Sequence, residues 1–388
     1  MTDAPTSERL APEDVRALVD WFRREARDLP WRRTDDPYRI LIAELMLQQT
    51  QVTTVLPYYE RWMARFPTFR ALAEAEEAEV LRFWSGLGYY ARARHAHALA
   101  REVVARYDGR LPDDPEALRR LPGIGAYTAG AVLSIAFGRP EPAIDGNVRR
   151  VLARFFAWET PVDRPAFDRA AEATLRPAYG ALRPPATPRT LTEALMELGA
   201  LVCTPKAPAC GRCPLKTHCA ARALGRPEAF PVRRPPAPKR REHRIVWIVR
   251  RRDGALRVER RKGRLLGGLW QFPNAPFARP PSAGDDIERP VPTDAGQTAG
   301  AAGASFAAEA LPPDALGRAQ TVGTVEHVFT HRLWTLDVRT VAAEAWPLSP
   351  EAQEARWLPE EEVAALPLAG PFRKAYELYR ARAFPDRA

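Results

Sequence analysis

All four cysteines of the 388-residue chain, Cys203, Cys210, Cys213 and Cys219, fall within 17 positions, spaced C-x6-C-x2-C-x5-C. A chain with no cysteine elsewhere that gathers four here is built to hold an inorganic centre. Two disulfides are the alternative, but no secretory signal accompanies them. Structural zinc sites pair two short Cys-x2–4-Cys knuckles, and only Cys210 and Cys213 form one. The longer, unequal arms favour a cube-shaped iron–sulfur cluster on four thiolates, with zinc as its competitor. A second kind of chemistry rests on carboxylates. Glu44 interrupts the run YRILIAELML (38–47), apolar on both sides of it. Burial there disfavours the charged form and makes a general acid usable near neutral pH; an internal ion pair to an arginine is the alternative. Asp145 stands in an Asp-Gly turn within PAIDGNVRRVLARF (142–155). It is either the cap of the following helix or a carboxylate aimed into a cleft. Two carboxyls, one protonated and one ionised, can break a glycosidic bond through an oxocarbenium-like state.

Helices must position these groups. Apolar residues recur at 3.6 spacing over 11–27, 38–48, 51–65, 76–84, 91–107, 115–121, 126–137, 147–156, 165–176 and 190–201, with Pro or Gly at the breaks. Within LRRLPGIGAYTAGAVLSIAF (118–137), Gly123 and Gly125 permit a tight turn between two helices. Its amide N–H groups could meet a phosphate at the positive end of the second helix; a plain helix–helix turn is the alternative. The stretch 225–243 is rich in Pro and Arg and reads as a semi-rigid linker. Beyond it the period changes to two. RIVWIVRR and ALRVERR form a hairpin across Asp253-Gly254, and HVFTHRLWTLDVRTV reads as a third long strand. Helices follow at 359–366 and 371–382, and 275–318, rich in Ala, Pro and Gly, reads as a partly disordered insertion.

Charge is unevenly placed. Residues 1–224 carry 32 basic and 28 acidic side chains, 225–264 carry 15 and 4, and 265–388 carry 11 and 16. An excess of +11 in the linker and the strand after it points to a polyanion such as nucleic acid. There is no apolar run of 18 residues, so no membrane partner is expected. The polar, acidic start is unlike a signal peptide, and a cytoplasmic, nucleoid-associated monomer is expected.

Taken in order, LPW (29–31), AELMLQQTQ (43–51), GLGYYARAR (86–94), LPGIGAYTAG (121–130), IDGNVRR (144–150) and MELGALVCT (196–204) lead into the cysteine spacing. Together they resemble the helix-hairpin-helix DNA glycosylases with an iron–sulfur cluster, and more closely the MutY-type adenine DNA glycosylases. The resemblance implies one 4Fe-4S cluster on the four cysteines. It implies as substrate double-stranded DNA with adenine opposite 8-oxoguanine or guanine. It implies that Glu44 protonates N7 of adenine while Asp145 stabilises or captures the sugar cation, supported by Asn147 and Tyr127. Trp31, Arg32, Leu47 and Glu197 fall where the family lines the adenine pocket. Gln49 and Tyr89 fall where it wedges the base stack, filling the void that an extruded base leaves. Arg212 and Lys216, in the cluster loop, are expected at phosphate.

Relatives that also cut the strand use a lysine amine after the hairpin glycines, where this chain has Tyr127. The lysines before residue 225 are Lys206 and Lys216, both beside the cysteines. Some adenine-family members carry a lysine in the DGNVK stretch; Arg149 stands there and cannot form a Schiff base. Hydrolysis without strand cleavage is therefore expected. A bifunctional endonuclease-III-like glycosylase/lyase and a non-catalytic, DNA-binding redox protein are the rival readings. LGGLWQFP (266–273), FTHRLWTLDV (329–338) and WLPEEEVAALPL (357–368) resemble the nudix-like C-terminal domain of the same family. In that domain Phe329, Thr330 and His331 match the loop that recognises 8-oxoguanine, with Thr in place of the usual Ser. The glutamate-rich nudix helix is missing between 274 and 328, so pyrophosphohydrolase activity is not expected. The resulting fold class is a mostly α N-terminal catalytic region, 1–224, and after the linker a smaller α+β nudix-like domain, 244–388.

Overall fold

The computed structural model describes residues 9–235, 237–263, 265–276, 319–346 and 354–383. The chain divides into two compact units, Met1–Pro235 and Pro236–Ala388. The insertion expected at 275–318 lies outside the described residues from 277 on, and of the stretch 274–328, whose sequence lacks a nudix helix, 274–276 and 319–328 are described.

The first unit is helical. Its elements are α1 (Pro12–Glu25), α2 (Pro37–Leu47), α3 (Val52–Arg65), α4 (Phe69–Glu74), α5 (Glu77–Trp84), α6 (Ala91–Tyr107), α7 (Pro115–Arg120), α8 (Ala126–Ile135), α9 (Gly146–Phe155), α10 (Pro165–Gly180), α11 (Pro188–Leu201) and α12 (Ala220–Ala223). Of these α4 and α12 are not among the helices read from the sequence: α12, at four residues, is too short to show a helical period, and α4 is missed although it is as long as α7. α2 begins where Asp36 accepts from the Tyr38 N–H and Pro37 presets the first turn. It is buried on all sides from Ile40 to Met46. Each buried Leu or Ile there contributes about 1.5–3 kcal/mol, so two of them offset the burial of the Glu44 carboxyl. α8 is buried from Thr128 to Ile135 and packs on α2. α11 opens with a Thr187–Thr190 capping box and packs against α1, α8 and α9. The turn from α7 into α8 needs Gly123. Its φ is +78°, and a Cβ there would stand 2.6 Å from the Cβ of His95.

The second unit is a mixed sheet with helices against it. β1 (Arg240–Arg250) is its centre, paired in parallel with β6 (Arg332–Ala342) along its whole length and antiparallel with β2 (Leu256–Arg260). β3 (Trp270–Gln271) and β7 (Ala355–Leu358) pair with β2, β4 (Asn274–Pro276) with β1, and β5 (Gln320–Val328) with β6. Both faces of β1 are covered, so Ile245 through Val249 are all buried. Helix Gly370–Ala383 packs on β5, β6 and β1. The hairpin across Asp253-Gly254 forms as expected. The third long strand does not: HVFTHRLWTLDVRTV is two antiparallel strands, β5 and β6, joined at Phe329–His331. The run disguises its turn because no Gly or Pro marks it; the Phe329 N–H closes it by donating to the Arg332 carbonyl at 2.8 Å.

Candidate active site

A cavity of about 490 Å³ opens in the helical unit, within the size range of small-molecule sites. Glu44 and Leu47 from α2, Tyr127 from α8, and Asp145 and Asn147 from the start of α9 line it. So do Trp31, Arg32 and Glu197. Residues far apart in the chain thus meet in one place.

Glu44 is 6% exposed, and its carboxylate accepts a hydrogen bond from the Tyr127 hydroxyl. Burial is the main force on its pKa. The Tyr127 hydrogen bond opposes burial, while nearby Asp145 and Glu193 add to it; the balance pushes the carboxyl up to about 7. Arg32 is near enough to lower it slightly but makes its ion pair elsewhere. The internal ion pair that could have explained a glutamate in this helix is therefore not what Glu44 makes. Tyr127, partly buried, is raised well above its ordinary value by burial and by the two carboxylates.

Asp145 caps α9 and faces the cavity, so both readings of the Asp-Gly turn hold. Its Oδ1 accepts from the Val148 N–H at 2.7 Å and its Oδ2 from Asn147 Nδ2 at 2.8 Å. Burial raises its pKa, and these two donors, which favour the charged form, act against that rise. Asn147 is held in turn: its Oδ1 accepts from Arg150 Nη2 at 2.8 Å, and the same nitrogen donates to the Gly199 carbonyl. Arg149 is engaged by Asp168 at 2.8 Å.

Glu197 is 1% exposed yet ionised. Burial pushes it up, but paired hydrogen bonds from Arg27 and Arg32 outweigh that and hold it at about 2. It therefore fixes Arg32 in the cavity wall. Arg27 and Glu193 also line the cavity and were not read from the sequence. No local signal marks Arg27, whose partner lies 170 residues on. Glu193, one helical turn before Glu197 on the same face, could have been found by that spacing.

Gln49 and Tyr89 do not line the cavity. Each sits in a turn with positive φ, +56° and +47°, and Tyr89 is 52% exposed. Gly123 and Gly125 lie in the α7–α8 turn, away from the cavity lining. Phe329, Thr330 and His331 belong to the other unit, at the tip of the β5–β6 hairpin. There the Phe329 ring packs edge-on against His327 and Trp334, and Thr330 and His331 are exposed.

The four cysteines are unpaired and line a second, separate cavity with Arg154, Lys216 and Arg222. Arg154 Nη1 donates to Cys203 Sγ at 3.4 Å. Burial raises the thiols of Cys213, to about 12, and of Cys219, so a bound cation is what would favour their thiolates. Among the described residues, no three His, Cys, Asp or Glu side chains are grouped tightly enough to hold one metal ion. Four cysteine thiols around a common cavity are the donor set that a four-iron cube would take, one thiolate at each corner.

The HhH-GPD superfamily of base excision DNA repair proteins matches residues 42–177, and a NUDIX domain matches residues 245–378. Adenine DNA glycosylase of Homo sapiens is 33% identical across 94% of this chain and 73% of its own length. That of Mus musculus is 34% identical across 93% and 77%, and that of Mycolicibacterium smegmatis 45% across 56% and 72%. With the Homo sapiens and Mus musculus alignments spanning 94% and 93% of it, the chain belongs to the adenine DNA glycosylases, hydrolases that remove adenine from DNA in base excision repair.

Proposed function

We propose that the adenine removed is the one paired with 8-oxoguanine, and also with guanine, and that removal is hydrolytic and leaves an intact strand at an abasic site. One observation carries this reading: Glu44, poised near neutrality, and Asp145, held by carboxylate-favouring donors, share a cavity. In the reaction Glu44 gives its proton to N7, the C1′–N9 bond breaks with its electron pair leaving on the base, and Asp145 stabilises the resulting cation. Water then adds to C1′ and returns a proton to Glu44. Trp31, Arg32 and Leu47 line the purine pocket, and Gln49 and Tyr89 fill the vacated stack. The amides at Gly123 and Gly125, with exposed Arg212 and Lys216, meet phosphates of the duplex. The cysteines hold a 4Fe-4S cluster, which supplies a rigid loop rather than a reacting group. The absence of strand cutting is supported by Tyr127 and the paired Arg149, neither of which has a primary amine. Recognition of 8-oxoguanine is assigned to the Phe329–His331 tip, whose exposed Thr330 keeps the hydroxyl. We place the protein in the cytoplasm, acting as a monomer.

The test is free adenine released under single turnover from duplexes carrying adenine opposite 8-oxoguanine, guanine or thymine, with strand cutting read without alkali. Release should be fastest opposite 8-oxoguanine and negligible opposite thymine. Equal rates across the three, or nicking that keeps pace with release, would overturn the reading.

A further inference from the structure

Arg92 lies in the first turn of α6, 7% exposed, and none of the ion pairs among the described residues involves it. The four N–H of its two Nη groups are instead shared among six oxygens. Nη1 reaches the carbonyls of Leu45, Met46 and Gln48 at 2.9, 2.8 and 2.5 Å. Nη2 reaches the carbonyls of Leu87 and Gly88 at 3.2 and 3.3 Å and the Thr50 hydroxyl at 3.2 Å. The first set, with the Thr50 hydroxyl, ends the helix that carries Glu44 and brackets Gln49; the carbonyls of Leu87 and Gly88 lead into the turn of Tyr89. Both turns carry side chains in the left-handed region, a strained conformation for any residue with a Cβ, so something must hold them. The guanidinium carbon also stands 5.4 Å from the centre of the Tyr89 ring and 5.3 Å from that of Trp84.

We propose that Arg92 is a positioning residue that sets Gln49 and Tyr89 as a two-pronged wedge and ties that wedge to the helix bearing Glu44. The inference rests on the reading of Gln49 and Tyr89 as the residues that fill the stack. A cation that merely closed α2 would need only the carbonyls of Leu45 and Met46. The bonds to both turns go beyond a cap, and they use the planar fork of arginine. Lysine, a point charge, could serve the helix end but not span two turns. Burial without a counter-charge also lowers the Arg92 pKa, to about 10, the mark of a cation held by carbonyl dipoles.

The experiment places 2-aminopurine, on a 2′-fluorinated sugar that resists cleavage, opposite 8-oxoguanine. Its fluorescence rises when the base leaves the stack. Wild-type protein at saturation should give the full rise. Arg92→Lys should lose at least half of it with little change in duplex affinity, and its single-turnover excision of adenine should fall by about 100-fold, as a misplaced group near the reaction does. The pH at which the remaining rate declines should not move, because Glu44 is untouched. Gln49→Ala and Tyr89→Ala should lose the rise as well. If these two keep it, the wedge reading itself fails. If they lose it while Arg92→Lys and Arg92→Met keep it, Arg92 is only a helix cap and the proposal fails. Circular dichroism checks folding, and should Arg92→Met not fold, Arg92→Lys decides.

Discussion

Glu44 on α2 and Glu197 on α11 line the same cavity, and each is almost fully buried, yet they ionise in opposite senses: one is pushed up to about 7, the other held at about 2. Burial is therefore not what separates them. Glu197 has Arg27 and Arg32, each through two nitrogens, whereas Glu44 has a phenol, two carboxylate neighbours and no more than a weak, unpaired pull from Arg32. Counter-charge decides which carboxylate keeps a proton to give and which serves as scaffold.

The sharpest way to break this contrast is to remove the proton donor. Glu44→Gln should lower single-turnover adenine release by about 1,000-fold or more, at the upper end of general acid catalysis, with duplex affinity within a few-fold of wild type by fluorescence anisotropy. A rate within 10-fold would end the acid assignment. Asp145→Asn tests the other side of the bond. Asn caps helices about as well as Asp, so folding should survive while the rate falls by about 100-fold from lost charge stabilisation. An unchanged rate would reduce Asp145 to its cap.

Stability against pH makes the same comparison without DNA. Glu44 has a raised folded pKa, so its favourable contribution is present below about 4.5 and lost as pH rises through about 7. Glu44→Gln should then be more stable than wild type at pH 8, by about 3 kcal/mol, and equal to it at pH 4. Glu197 has a lowered folded pKa, so its contribution is present above about 4.5 and lost as pH falls through about 2. Glu197→Gln should be less stable at pH 7, also by about 3 kcal/mol, with the gap narrowing only in strong acid. Urea unfolding at pH 4 and 8 reads both. Shifts of the same sign for the two variants would refute the contrast.

Much of this was legible in the residues themselves. A lone glutamate in the apolar run 38–47, an Asp-Gly turn before a helix, and four clustered cysteines all mark chemistry by type and spacing alone. What fixes their state was not legible. Whether Glu44 meets an arginine depends on where Arg27 and Arg32 are spent, and Glu197, 165 residues beyond Arg32, spends them. Arg92 likewise reads as one more basic residue of GLGYYARAR until the two turns around it are seen. In the second unit the β5–β6 turn was read as continuous strand, since Phe-Thr-His has the same β-forming character as the strands it joins.

A smaller perturbation can reach Asp145 without touching any group that ionises. α11 passes the start of α9 so closely that a Cβ on Gly199 would stand 2.5 Å from the Cβ of Asn147 and 3.0 Å from its Cα. Asn147 cannot yield freely, because Arg150 joins it to the Gly199 carbonyl and its own amide holds Asp145. Gly199→Ala should cost about 1–3 kcal/mol of stability through overpacking. It should also slow adenine release by about 10-fold, less than Asp145→Asn, because the carboxylate is displaced rather than removed. The pH at which the rate declines should move only slightly, since burial is the main force on Glu44 and the nearby charge of Asp145 a smaller one. Lost stability with an unchanged rate would mean that the hold of Asn147 on Asp145 matters for folding only. A midpoint displaced by about a full pH unit or more would mean that the charge of Asp145, not burial, is what chiefly sets the proton on Glu44.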